Sequence, residues 1–222
     1  MPTLLLCGHG YLGQAISRDF LAAGWEVTAL SRGGNPGSPV RELACDLGSA
    51  EAVAALEIAT DFIVHCASSG RGGAEAYREV YLAGCRHLIA RFPGVPLLFT
   101  SSTSVYAQTD GSAVTEESPA EPDRETGMIL RETEEAVLAA GGIAARLSGI
   151  YGPGRSVILK KFLAGEAMIE EDGRRYLNQI HRDDAASAIL HLAEAKAAGI
   201  YNLSDSQPLA QLECYRALAD LF

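Results

Sequence analysis

The sequence predicts an α/β protein built on a doubly wound parallel sheet. Three observations lead to this prediction: short apolar runs alternate with helical segments, most runs are continuously apolar, and a glycine-rich turn joins the first run to the first helix. Continuously apolar runs are typical of strands covered on both faces. Alternation with helices favours parallel pairing through right-handed crossovers, which place the strand carboxyl ends along one edge. We therefore expect a binding site at that edge.

Seven runs are predicted as strands, with helical segments between most of them. The predicted strands are Leu4–Cys7, Glu26–Leu30, Val40–Ala44, Asp61–Cys66, Leu97–Ser101, Gly142–Leu147 and Gly199–Leu203. The predicted helices are Tyr11–Ala23, Ser49–Glu57, Glu75–Phe92, Glu125–Ala140 and Asp183–Ala195. A serine begins the second helix, and glycine- or proline-containing pairs follow the third and fourth, which are usual boundary signals. From residue 148 onward the alternation becomes less regular.

The turn after the first strand carries three glycines, Gly8, Gly10 and Gly13. With this spacing the first glycine permits a tight turn, the second leaves room for a pyrophosphate, and the third lets helix and strand pack closely. Tyr11 and Leu12 open the helix, where free N–H groups and the dipole attract phosphate. The chain has 23 glycines, so the spacing alone is not specific, but strand, loop and helix stand in the required order. The loop predicts dinucleotide binding.

Discrimination between the two nicotinamide cofactors is expected at the end of the second strand. An acidic residue there would bind the ribose hydroxyls, whereas a cation would accommodate a 2′-phosphate. This chain has Ser31 and Arg32, with no acid until Glu42. The alternative for Arg32 is an ordinary solvated surface charge. Its position, about 20 residues after the glycines, favours NADP over NAD.

Three further residues are predicted to line the cofactor site. Asp46, just past the third strand, could accept a hydrogen bond from the adenine amino group, or it could cap the helix that begins near Ser49. Ala67 and Ser68 follow the fourth strand, and their small side chains suit a backbone that lies against the nicotinamide ribose. Small residues also suit any tight exit from a strand, so both alternatives stay open.

Four sequence segments, taken together, resemble the motifs of a known family. They are FTSSTSVY at residues 99–106, EESP at 116–119, GIYGPG at 149–154 and QIHRDD at 179–184. With the glycine loop, they resemble the extended short-chain dehydrogenase/reductase superfamily, in particular its NAD-dependent epimerase/dehydratase branch. The resemblance implies a Rossmann NAD(P)-binding domain, placed at residues 1–147. It also implies a small C-terminal substrate region, residues 148–222, that returns one strand to the sheet.

The same resemblance exposes a departure on the fourth predicted helix. In that superfamily a Tyr-x-x-x-Lys pair performs the acid–base chemistry, the tyrosine passing a proton and the lysine lowering its pKa and holding the ribose. In the family pattern, a glycine directly follows the tyrosine and a glutamate follows the lysine. Aligning these two residues with the same types here places Thr126 at the tyrosine position and Leu130 at the lysine position. Ser102 matches the family's substrate-orienting serine and is our catalytic candidate, with a purely structural hydroxyl as the alternative.

Three other residues are candidates for a replacement acid: Tyr106, Tyr151 and His181. Both tyrosines stand where family members with the complete pair also have a tyrosine, which favours a packing role. A histidine pKa suits proton transfer near neutrality, but a histidine in this segment usually packs or donates hydrogen bonds. No histidine and carboxylate combination has metal-ligand spacing, so no metal site is expected.

Composition limits the partners and the compartment. The 222 residues carry a net charge of −10, which disfavours nucleic acid and anionic membranes, so a small-molecule substrate is expected. The five cysteines form no CxxC motif and are expected to be reduced thiols in the cytoplasm. No secretion signal and no apolar run of membrane-spanning length is recognised. A homodimer is one open assembly.

Two functions remain open from the sequence. The first is an epimerase/dehydratase-like oxidoreductase that uses NADP or NAD on a carbohydrate- or nucleotide-linked substrate. The second is a regulator or sensor that binds the cofactor without turnover, which the absence of the usual pair would explain. The chain stops within a predicted helix, so a reduced substrate pocket and a missing continuation are both compatible with it.

Overall fold

The computed structural model describes residues 1–34, 37–70, 72–170 and 172–222. Seven strands form one sheet in which every neighbouring pair is parallel. They are β1 (Thr3–Cys7), β2 (Glu26–Ser31), β3 (Arg41–Ala44), β4 (Phe62–His65), β5 (Leu97–Ser102), β6 (Ile143–Leu147) and β10 (Gly199–Leu203). Their order across the sheet is β10-β6-β5-β4-β1-β2-β3. The predicted fold class is confirmed.

The strand order reverses at β1, and this reversal positions the site. The chain moves outward from β1 through β2 to β3, and then returns to place β4 on the other side of β1. The loops that leave β1 and β4 therefore diverge and open a crevice at the carboxyl edge. The glycine loop leaves β1 at this point.

Helices cover both faces of the sheet. They are α1 (Tyr11–Ala22), α2 (Ala50–Ala54), α3 (Ala74–Tyr77), α4 (Gly84–Arg91), α5 (Glu125–Ala139) and α7 (Arg182–Glu194). α1 and α7 pack together over one face, around an apolar cluster that includes Ile16, Phe20 and Ile189. α2, α4 and α5 cover the other face, around Leu88, Phe99 and other buried residues.

Two helices differ from the sequence prediction. The second was predicted over Ser49–Glu57 but ends at Ala54. There the Leu56 N–H donates to the Val53 carbonyl in a tighter turn, and Leu56 is buried in the core. The predicted cap is present, since the Ser49 hydroxyl accepts from the Ala52 N–H at 3.2 Å. The third predicted helix is continuous, but its middle, Arg78–Ala83, widens into a π-helical segment between α3 and α4.

The C-terminal region contains short elements that the sequence analysis missed. β7 (Gly149–Tyr151) pairs with β9 (Gln179–His181), and β8 (Tyr176–Leu177) pairs with β11 (Leu209–Ala210). α6 (Val157–Leu163) and α8 (Gln211–Leu221) lie beside them. Strands of two or three residues are too short to show a period of two. Because α7 and β10 belong to the main layers, the domain boundary at residue 148 stays a prediction.

Candidate functional site

A cleft of about 250 Å³ lies at the carboxyl edge of the sheet, beside the strand reversal. It brings together seven of the ten residues predicted to bind the cofactor. The lining residues are Gly8, Gly10, Leu30, Ser31, Arg32, Cys45, Asp46, Leu47, Ala67, Ser68 and Val80. The other three, Tyr11, Leu12 and Gly13, form the start of α1 and are not among the lining residues. Their roles toward a cofactor stay predictions.

The three glycines of the loop meet different constraints. Gly8 has a φ of +101°, and a Cβ there would lie 2.5 Å from the backbone of Ala67. A Cβ on Gly13 would lie 2.0 Å from the Gly8 carbonyl oxygen. A Cβ on Gly10 would meet nothing within 4 Å, although Gly10 borders the cleft. The protein's own packing therefore requires Gly8 and Gly13, whereas the space at Gly10 fits an occupant of the cleft.

The start of α1 is prepared for an anion. Gly10 caps the helix without a side chain, and the first turn contains no acidic residue. The N–H groups there are therefore open to a phosphate, and the helix dipole favours negative charge. Two guanidinium groups lie nearby, those of Arg155 and Arg182, at 5.3 and 4.9 Å from the Tyr11 ring centre, although Arg182 is also ion-paired with Asp183 at 2.9 Å. These features fit the pyrophosphate of a dinucleotide.

The adenosine end of the cleft, as we call the part beside β2 and β3, contains Ser31, Arg32 and Asp46. Arg32 is exposed and has no ion-pair partner among the described residues. Asp46 Oδ1 accepts from the Gly48 N–H at 3.0 Å. Since Ser49 caps α2, the helix-cap alternative for Asp46 is not what the structure shows.

A buried hydrogen-bonded pair that the sequence analysis missed lies behind this end. His9 Nδ1 lies 3.0 Å from Glu42 Oε2, and the two side chains are 5% and 4% exposed. The Ser31 hydroxyl donates to the other Glu42 oxygen at 2.5 Å. Burial alone would raise the pKa of Glu42, but the hydrogen bonds from Ser31 and His9 lower it below its ordinary value. Glu42 therefore ties β2 to the glycine loop.

The nicotinamide end, as we call the part beside β4 and β5, contains Ala67, Ser68 and Ser69. Ser69 follows the lining residues, and the Tyr81 hydroxyl lies 3.1 Å from its backbone nitrogen and 3.2 Å from its Oγ. On the neighbouring strand, Ser102 Oγ accepts from the Ser104 N–H at 3.1 Å. Ser102 therefore has a structural role, while its own O–H proton stays available to a ligand.

A second buried network supports the nicotinamide end. Glu134 on α5 is 0% exposed, and its carboxylate accepts from Arg146 Nε at 3.0 Å and from an Arg146 terminal nitrogen at 2.7 Å. The Ser101 hydroxyl donates to the same carboxylate at 2.6 Å. The network ties α5 to β5 and β6. The sequence analysis used Glu134 only to set the register of α5.

The three candidate replacement acids have other partners or unfavourable surroundings. The Tyr106 hydroxyl accepts from Arg146 at 2.8 Å and lies 2.8 Å from Asn202 Oδ1, so it belongs to the buried network. His181 caps α7, because its Nδ1 accepts from the Asp183 N–H at 3.3 Å. Burial, and then the nearby Asp205 and Asp184, raise the pKa of Tyr151, which opposes loss of its proton.

The residues aligned with the usual pair lie on the first turns of α5. Thr126 is half-buried. Leu130 is 5% exposed and belongs to the apolar cluster on that face of the sheet. Its side chain therefore contributes packing where the resemblance expects an ammonium group.

In residues 1–34, 37–70, 72–170 and 172–222, no three or more His, Cys, Asp or Glu side chains are grouped to hold a metal ion. Within the same ranges, no helix has the length and apolar character needed to cross a membrane.

Comparisons with known proteins agree with this geometry. Protein YeeZ of Escherichia coli (strain K12) is 30% identical over 226 aligned positions, which cover 91% of this chain and 77% of YeeZ. The 2-alkyl-3-oxoalkanoate reductase of Stenotrophomonas maltophilia (strain K279a) is 27% identical, over 98% of this chain and 74% of the reductase. The solved structure of a candidate NAD-dependent epimerase/dehydratase from Methylobacillus flagellatus has a TM-score of 0.84 and 29% identity, covering 99% and 81% of the two chains.

The strongest assignment comes from a family model. The model of the NAD dependent epimerase/dehydratase family matches residues 4–204, a range that contains the whole parallel sheet except the first residue of β1. This protein is therefore a member of the NAD dependent epimerase/dehydratase family and has the fold of the extended short-chain dehydrogenases/reductases.

Proposed function

We propose that this protein is an NAD(P)-dependent oxidoreductase whose substrate is carbohydrate- or nucleotide-linked. The observation that carries the proposal is the cleft at the carboxyl edge of the sheet. There Gly10, which caps α1 without a side chain and leaves open space, and the exposed cation of Arg32 line one groove. A bound nicotinamide cofactor would supply or accept a hydride at the β4–β5 end of this groove.

NADP is the cofactor we favour. The net charge of −10 repels an anionic cofactor at long range, so local groups must supply the attraction. Arg32 borders the groove and is unpaired among the described residues, which suits a 2′-phosphate. Glu42, the first acid after Arg32 along the chain, is held by His9 and Ser31 instead of facing a ribose.

We place the protein in the cytoplasm and expect a small-molecule substrate. All five cysteines are free thiols, as is usual in a reducing compartment. The relative from Stenotrophomonas maltophilia is a 2-alkyl-3-oxoalkanoate reductase, so oxo acids of that class belong beside nucleotide sugars in any substrate panel. A homodimer stays an expectation.

The proton path proposed for this enzyme is not the usual one. In the printed sequence no tyrosine is followed by a lysine four residues later. The buried, apolar Leu130 also favours a second candidate function, in which the protein binds the cofactor as a sensor without turnover.

One experiment separates the two functions. Nucleotides that co-purify with the protein are identified by mass spectrometry, and calorimetry measures the affinities for NADPH and NADH. Loss of reduced-nicotinamide absorbance is then followed with UDP-sugars, dTDP-sugars and a 2-alkyl-3-oxoalkanoate. Gly10→Val is the control, because its side chain should block cofactor binding in the groove. Turnover in this panel is the expected result. Tight binding without turnover would favour the sensor, and absence of binding would refute both functions.

A further inference from the structure

A tyrosine that the sequence analysis did not single out lies at the nicotinamide end. Tyr81 belongs to the π-helical segment Arg78–Ala83, and its neighbour Val80 lines the cleft. Its hydroxyl lies 3.1 Å from the backbone nitrogen of Ser69, one residue after the lining residue Ser68. π-helical segments are rare and often occur at functional sites.

The hydrogen bonds leave the proton of this phenol free. A backbone N–H can only donate, so the Tyr81 oxygen accepts from Ser69. The Ser69 hydroxyl, 3.2 Å away, can donate to the same oxygen. Among the described residues, no carbonyl or carboxylate oxygen accepts from Tyr81. A donated N–H also stabilises the negative charge that develops on an oxygen when its proton leaves.

The surroundings of Tyr81 hold the ring in place. The ring centres of Phe99 and His65 lie 5.6 and 6.1 Å from that of Tyr81. His65 also donates from Nε2 to the Val80 carbonyl at 2.9 Å, which anchors the π-helical segment to β4. The phenol is thus fixed by two adjacent strands, at the edge where the strand order predicts the nicotinamide.

We infer that Tyr81 is the proton donor of this enzyme and takes the place of the usual tyrosine on α5. The inference rests on the proposed oxidoreductase function. Tyr106 and His181 are committed to other hydrogen bonds, whereas Tyr81 presents an uncommitted O–H beside the residues that line the groove. The backbone N–H of Ser69 replaces the charge stabilisation that a lysine would supply.

The step balances with the cofactor as the reductant. With a nicotinamide cofactor bound, the carbonyl carbon of the substrate would accept a hydride and its electron pair, and NAD(P)H would be oxidised to NAD(P)⁺. The substrate oxygen takes the proton of the Tyr81 hydroxyl, and water returns a proton to the phenolate. In the oxidative direction each transfer is reversed.

The test uses two matched variants of the full chain, Tyr81→Phe and Tyr77→Phe. Tyr77 lies one turn earlier, and its ring centre is 4.8 Å from that of Tyr81. No hydrogen bond of the Tyr77 hydroxyl is found among the described residues, so its loss removes a phenol without removing a hydroxyl contact. Circular dichroism and calorimetric affinity for NADPH check that both variants fold and bind cofactor as the wild type does.

The first readout needs no substrate. Phenolate formation is followed by ultraviolet absorbance as pH rises, with and without saturating NADP⁺. The positive nicotinamide ring should move the titration of one tyrosine to lower pH. We expect this change in the wild type and in Tyr77→Phe, and we expect it to be absent from Tyr81→Phe.

The second readout is single-turnover oxidation of NADPH by the best substrate of the panel. We expect Tyr81→Phe to slow this step at least a hundredfold, within the roughly 10²- to 10⁴-fold range of a positioned general acid, and Tyr77→Phe to leave it within about threefold. If Tyr81→Phe is too unstable to measure, fluorotyrosine at position 81 should move the basic limb of the rate profile to lower pH.

The outcomes separate the two claims. A wild type that turns over, with Tyr81→Phe equally fast or with an unchanged NADP⁺-dependent titration, overturns the role of Tyr81 and leaves the proposed function intact. A wild type that binds NADP⁺ but turns over nothing in the panel refutes the oxidoreductase function, and the donor role with it. Loss of both readouts in Tyr81→Phe alone supports the inference.

Discussion

The two ends of the cleft differ in how closely they follow the pattern that the sequence suggested. At the adenosine end, Ser31, Arg32 and Asp46 all border the groove, each at or just after the end of a strand. At the nicotinamide end, Leu130 is buried in apolar packing and an unanticipated tyrosine, Tyr81, lies against Ser69. Residues that leave parallel strands are placed by topology alone, whereas residues from helices are placed by packing.

The supports behind the two ends also differ. At the adenosine end, Glu42 pairs with His9, and the hydroxyls of Ser31 and Ser38 lie nearby. At the nicotinamide end, Glu134 pairs with Arg146, whose guanidinium group stays charged, and both residues are at most 1% exposed. A buried charge left without its partner is far more costly than a neutral polar group.

This difference gives the largest expected effect. Glu134→Ala should lower the free energy of unfolding by about 3–5 kcal/mol, because it leaves the Arg146 charge buried and unpaired. Glu42→Ala should cost only about 1–3 kcal/mol, because it removes hydrogen bonds to His9 and Ser31 and leaves no buried arginine unpaired. Urea unfolding measures both. The double variant Glu134→Leu with Arg146→Met should recover part of the loss. Equal costs at the two ends would contradict the comparison.

The next effect falls on the loop that both ends share. Gly10→Val should weaken NADPH and NADH by more than about a hundredfold, because the new side chain fills the space where the pyrophosphate belongs. The fold should survive, since a Cβ there meets no atom within 4 Å and the φ of Gly10 is −90°.

Gly13→Val provides the contrast, because its Cβ would lie 2.0 Å from the Gly8 carbonyl oxygen. It should fail to fold instead of merely losing affinity. Calorimetry and circular dichroism distinguish the two results, and unchanged affinity in Gly10→Val would show that the loop is wrongly assigned.

A smaller effect tests the adenosine end alone. Arg32→Ala should weaken NADPH by about ten- to a hundredfold and NADH hardly at all, since a guanidinium–phosphate contact contributes on the order of 1–3 kcal/mol. Asp46→Asn is the matched change on the same groove, and it should weaken both cofactors equally. Equal losses for both cofactors in Arg32→Ala would show that Arg32 acts on the fold or on the shared phosphates.

The sequence predicted the parallel sheet because seven apolar runs carried their own signal, and all seven are strands of that sheet. It predicted that Gly8, Gly10 and Arg32 lie at the cleft, because residues at strand ends are placed by topology, while their roles toward a cofactor stay predictions. It did not predict the Glu42–His9 or Glu134–Arg146 pairs, since their partners are 33 and 12 residues apart and meet only when strands and helices pack. The position of Tyr81 depends on a π-helical segment. Such a segment has no hydrophobic periodicity that a single sequence would reveal, so the sequence did not predict it.

The smallest expected effect is a pH dependence at the nicotinamide end, where His65 anchors the segment that carries Tyr81. Burial lowers the pKa of His65 from 6.5 to about 4, and the groups packed around it are the rings of Tyr81 and Phe99 and the carbonyl of Val80, all uncharged at neutral pH.

The sign follows from proton binding. Below about pH 6.5 the unfolded chain binds a proton at this site while the folded chain does not, so stability is present at neutral pH and is lost as pH falls toward 4. For this site alone, the loss between about pH 7 and about pH 5.5 should be near 1 kcal/mol. His65→Gln, which keeps an N–H donor, should remove that part of the dependence, whereas His191→Gln on the exposed face of α7 should retain it. Urea unfolding at the two pH values measures the difference. A dependence that survives in His65→Gln would place the titrating group elsewhere.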